Sequence, residues 1–85
     1  MGVRKLRKVL QETFPGAAVR DLGRPAGSRR IGGLLLWDDF EGLDQIDRQR
    51  KLWGLLRAQL TPEEQREVSL IITLTPREFE AIMAD

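Results

Sequence analysis

The chain has 85 residues, enough for one domain with a modest core, and a net charge of only +1. It contains no Cys, His or Tyr. That removes disulfides, thiolate metal sites, the commonest general base and the usual near-neutral pH switch. The small net charge hides an asymmetry. Residues 1–30 hold eight Lys/Arg against Glu12 and Asp21, a net of +6, whereas residues 31–85 carry a net of −5. Such a division suggests one anion-seeking face, unless folding interleaves the two halves.

Val3, Leu6, Val9 and Leu10 recur at helical spacing with Arg4, Lys5, Arg7 and Lys8 opposite, which predicts an amphipathic helix over residues 2–13. Phe14-Pro15-Gly16 ends it. A weak strand follows over 17–22, then a loop, Gly23–Arg30, rich in Gly and Arg. Ile31–Trp37 is apolar on both alternating faces and reads as a central strand, joined to the first as a hairpin. Asp38–Gly42 is a turn region, and Asp44 is an N-cap for a long helix over 45–60. The expected inward stripe of that helix is Ile46, Trp53, Leu56 and Leu60, with Leu52 and Leu55 beside it, and Asp44–Arg48 and Asp47–Lys51 are the expected surface pairs. Thr61-Pro62-Glu63-Glu64 and Thr75-Pro76-Arg77-Glu78 are both helix starts, with an N-cap, Pro at the first helical position and Glu at the third. Between them Val68, Leu70, Ile72 and Leu74 alternate with Ser69, Ile71 and Thr73 as a strand, and Phe79 and Ile82 are expected to face inward on the last helix. The fold class is therefore α+β, order α-β-β-α-α-β-α, a three-stranded sheet with helices packed on it in one domain over residues 1–85.

No apolar run approaches the ~20 residues of a membrane span, and the N-terminus lacks a signal-peptide apolar region, so the expected location is cytoplasmic. Ser28 and Ser69 have no His to activate them, and the carboxylates do not converge on one site, so no catalytic group, metal or cofactor is expected. Trp37 and Trp53 fit the inward pattern of their elements. The most suggestive feature is the loop. Arg24, Arg29 and Arg30, with Lys5 and Lys8 of the first helix and Arg48 and Lys51 of the long one, form the candidate phosphate-binding set.

Four short stretches resemble the BolA-like family: Phe14-Pro15; Phe40-Glu41-Gly42 followed by Asp44; Arg48-Gln49-Arg50-Lys51-Leu52-Trp53, similar to an R-H-R-x-V-Y segment; and Thr73-Leu74-Thr75-Pro76-Arg77-Glu78. The resemblance implies a fold related to type II KH domains. It further implies two kinds of function: nucleic-acid (DNA or RNA) binding with a transcriptional or stress-related role, or adaptor work with monothiol glutaredoxins in iron–sulfur handling. The family places a His near the start of the last core strand. Here the gapless register puts Glu67 there, a one-residue slip puts Val68 there, and no G-x-x-G loop occurs.

Overall fold

A computed structural model describes residues 1–84. In chain order the elements are α1 (Val3–Thr13), β1 (Ala18–Gly23), β2 (Ile31–Leu36), a 3-10 turn (Asp38–Phe40), α2 (Gln45–Gln59), α3 (Pro62–Arg66), β3 (Val68–Leu74) and α4 (Pro76–Met83). The expected α+β order holds, and so do the expected caps. Asp44 accepts from the Asp47 amide, and Thr61 and Thr75 each form a reciprocal box with the Glu three residues on. Each cap satisfies backbone donors that have no partner inside the helix.

The sheet order is β1-β2-β3, with β1–β2 antiparallel and β2–β3 parallel, so the most apolar strand is central. One sheet face meets α1 and α2 in a core built on Leu6, Leu10, Ile31, Leu35, Leu52 and Ile71. Phe14, Trp37 and Phe40 close one end of it, the Trp37 ring lying edge-on to both phenyl rings at 5.1 and 5.3 Å. Trp37 Nε1 donates to Pro15 O at 3.0 Å, so the partly buried indole keeps its polar group satisfied.

Both outer strands carry an extra residue opposite the Gly32-Gly33 pair of β2. On β1, Arg20 to Gly23 spans Leu34 to Gly32. On β3, Val68 to Ile71 spans Ile31 to Gly33. Asp21 sits at φ 53 within the first irregularity. The second changes which side chains of β3 point inward. Val68 and Ile71, three residues apart, are both buried, and Thr73 follows, while Leu70 and Ile72 are exposed. Strict alternation had grouped Val68 with Leu70 and Ile72; the bulge breaks that period.

Two helix faces also differ from expectation. The buried row of α2 is Arg48, Leu52 and Leu56, and Ile46 is exposed. An arginine occupies the inward position because its charge is paired inside the fold, as described below. On α4, Phe79 is half-buried beneath the Arg20 guanidinium, but Ile82, in the last turn of this short helix, is exposed.

Carbonyls on both sheet edges are occupied by helix side chains. Arg7 Nη1 donates to Val19 O on β1 at 3.3 Å. On β3, Gln49 Nε2 donates to Ile71 O at 2.8 Å, and Gln45 Nε2 and Arg48 Nη1 donate to Thr73 O at 2.9 and 3.2 Å. This blunts both edges against further strand pairing.

Candidate nucleic-acid interface

The β1–β2 loop is ordered by its own sequence. Ser28 N donates to Pro25 O at 2.9 Å across Ala26 and Gly27, and Gly27 has φ 81. A turn with positive φ at its third position needs a residue without Cβ there. Ser28 Oγ then accepts from the Arg30 amide at 3.0 Å. These bonds fix the exit of the loop, so Arg29 and Arg30 are displayed beside a defined turn rather than on a slack segment.

Arg24 ties the loop to the start of α1. Its Nη2 donates to Met1 O at 2.7 Å, and its Nε donates to Arg29 O at 3.2 Å. The same guanidinium lies 3.8 Å from Glu67, whose carboxylate also receives the Met1 ammonium at 2.8 and 3.0 Å. Arg24 is therefore committed to the fold, and its role is to bring Arg29 and Arg30 to the end of α1 where Arg4 and Lys5 stand.

Arg29 and Arg30 are exposed and have no carboxylate within 4.0 Å among the described residues. Arg4 is exposed in the same way. Lys8 is exposed and 4.0 Å from Glu12. Lys5 forms an ion pair with Glu64 of α3. The ammonium of Lys5 and the Thr61 amide hold the Glu64 carboxyl below its ordinary range. The two halves of the chain thus interleave in part: Glu64 of α3 and Glu67 just after it meet Lys5, Arg24 and Met1, and Arg4, Lys8, Arg29 and Arg30 remain outside that exchange.

The two α2 members of the candidate set lie elsewhere. Lys51 Nζ sits 5.5 Å from the Trp37 ring, beyond the end of β2, whereas the loop precedes its start. Six strand residues at about 3.3 Å each separate the two by roughly 20 Å. Arg48 is only 4 % exposed. Its Nε donates to Leu43 O at 2.9 Å and its Nη1 to Thr73 O at 3.2 Å. Nη1 and Nη2 also grip the two Glu78 oxygens at 2.6 and 3.1 Å. It is a joint between α2, β3 and the cap of α4, without a donor directed at solvent chemistry. Its expected surface pairing with Asp44 is replaced by this internal pairing with Glu78.

Of the two residues that the resemblance sets against the family's His, Glu67 is engaged by Arg24 and the Met1 ammonium, and Val68 is a buried apolar side chain. No group of three or more Asp or Glu among the described residues is placed to hold a metal ion. No described helix is long and apolar enough to cross a membrane. Two features escaped the sequence reading: the pair of bulges around Gly32-Gly33, and a second basic row on α2 that includes Arg57. The seven-residue spacing of Arg50 and Arg57 was the available signal for the latter.

An α+β unit with this element order, this mixed sheet and helices α2 and α3 between the parallel strands has a BolA-like fold. The chain superposes on the structure of a BolA protein homologue from Coxiella burnetii with a TM-score of 0.72, covering 94% of this chain and 97% of that one. Identity between the two is 17%, so the likeness is one of fold. No protein-family profile and no curated protein matches the sequence.

Proposed function

We propose that this chain is a non-enzymatic BolA-like regulatory module that contacts nucleic acid through the Gly23–Arg30 loop and the exposed basic side of α1. The observation that carries this reading is the Arg24–Met1 bond, which joins the two basic segments at one end of the molecule. Arg29, Arg30, Arg4 and Lys8 then provide cations for about four phosphates. Such binding is electrostatic and weakly selective for sequence, and it tightens as salt is removed.

Replacing Arg29 and Arg30 together with Ala is expected to make the log K against log salt slope on duplex DNA shallower by about 1.8, near 0.9 per phosphate lost. Fluorescence anisotropy across a salt series measures it. An unchanged slope removes the loop from the interface. The alternative of an adaptor sharing an iron–sulfur cluster with a glutaredoxin has less to stand on, since Glu67 pairs with Met1 and Arg24 and Val68 offers no ligand atom.

A further inference from the structure

Two rows of side chains on α2 flank its buried row and repeat at seven residues, and Trp53 of the first also packs against the core. Ile46 and Trp53 make one, and Arg50 and Arg57 make the other, four residues further on. Ile46 is 63% exposed and Trp53 half-buried, and with Gln45 and Gln49 these side chains border a shallow groove of about 450 Å³. Arg57 meets no carboxylate within 4.0 Å among the described residues, and Arg50 meets only Asp47, at 3.9 Å on the surface. An apolar row flanked by a basic row with one weak surface pair has the chemistry of one half of a helix–helix contact.

We propose that this groove docks an acidic amphipathic helix of a partner protein. Apolar residues of the partner seat against Ile46 and Trp53, and Glu or Asp side chains flanking them pair with Arg50 and Arg57. The repeat argues for a helix: seven residues advance about 10.5 Å, which a partner helix matches residue for residue along the contact. A strand has no purchase here, because the adjoining β3 carbonyls of Ile71 and Thr73 already accept from Gln49, Gln45 and Arg48. The same commitment engages both amide N–H groups of Gln49 and one of the two on Gln45, leaving few donors for a base edge, which disfavours a nucleic-acid strand. The site shares no residue with the loop surface and stands independently of it.

The test uses fluorescein-labelled helical peptides with Leu on the heptad seam and Glu at the flanking positions, beside matched peptides carrying Gln or Lys there. Anisotropy is expected to show the Glu peptide binding at least tenfold more tightly than the Gln peptide, with affinity falling as salt rises. The double change Arg50→Glu/Arg57→Glu is expected to abolish that preference and confer binding of the Lys peptide. Because both arginines are exposed, circular dichroism should report an unchanged fold; Arg50→Gln/Arg57→Gln serves if it does not, and should equalise the Glu and Gln peptides. Equal binding of the Glu and Gln peptides by the wild type, or no binding of either, overturns the proposal. So does an oligonucleotide that displaces the peptide and loses affinity in the same variant, which gives the face to nucleic acid. A wild-type dimer in sedimentation that Ile46→Asp separates gives it to a second copy instead. The Arg29→Ala/Arg30→Ala variant should bind the Glu peptide normally, which keeps failure of the loop surface distinct from failure of this one.

Discussion

Replacing Arg48 with Met is expected to destabilise the protein by about 2–3 kcal/mol, near the lower end for breaking a buried ion pair. The figure is held down because the Glu78 side chain is 42% exposed and can rehydrate once left alone. The stem of Met fills much of the space, but Leu43 O loses its side-chain donor, Thr73 O keeps only Gln45 of its two, and the α4 cap loses its anchor. In a domain of this size that corresponds to a fall in Tm of roughly 10–20 °C. Glu78→Gln should cost at least as much, since the charge left behind is the buried one. The pair also has a pH signature. The Arg48 guanidinium, and then the Thr75 amide, hold the Glu78 carboxyl down at about 2. Folded protein therefore releases this proton more readily than unfolded chain does. The contribution is complete above the ordinary carboxylate range near 4.5 and is lost as pH falls toward 2. Denaturant melts at pH 7 and pH 3 should show a smaller acid loss in Arg48→Met than in the wild type. An equal loss in both would mean that the pair does not couple α2 to α4.

The second large effect is expected at Gly33. A Cβ there would lie 3.0 Å from Arg20 O and from Leu22 Cα, both backbone atoms of the bulged β1 strand. Gly33→Val should cost about 2 kcal/mol or more, as overpacking does, even though Val is a far better strand former than Gly. Gly54 provides the opposite case. A Cβ on this exposed α2 glycine meets nothing within 4 Å, so Gly54→Ala should stabilise by about 1 kcal/mol through helix propensity alone. Thermal melts of the two variants should move in opposite directions. A neutral Gly33→Val would show that β1 can shift away and that the bulge opposite Gly33 is not a fixed feature.

Local chemistry was what the sequence displayed best. The boundaries at Asp44, Thr61 and Thr75 are visible because each cap is made by a side chain and an amide two or three residues away. The central place of β2 follows from apolar residues on both of its faces. What sequence periodicity misjudged depends on partners distant along the chain. Leu70 and Ile72 face out because β3 gains a residue opposite Gly32, and nothing within β3 announces that. Arg48 lies inside because Glu78, thirty residues later, returns to meet it. In the candidate interface, the composition of the Gly23–Arg30 loop marked it as basic, but whether each arginine was committed or available was not readable. Arg24 is held by Met1 O and Glu67, and Arg29 and Arg30 are not, a distinction fixed by where α1 and α3 pack.

The central claim is that the basic N-terminal segments form one phosphate-binding surface. Titration of a labelled duplex oligonucleotide with the wild-type protein, from low salt to about 0.2 M, tests it most directly. The account predicts binding whose log K falls against log salt with a slope near −3.6, the value for about four neutralised phosphates. Absence of binding at low salt, or binding indifferent to salt, would contradict it.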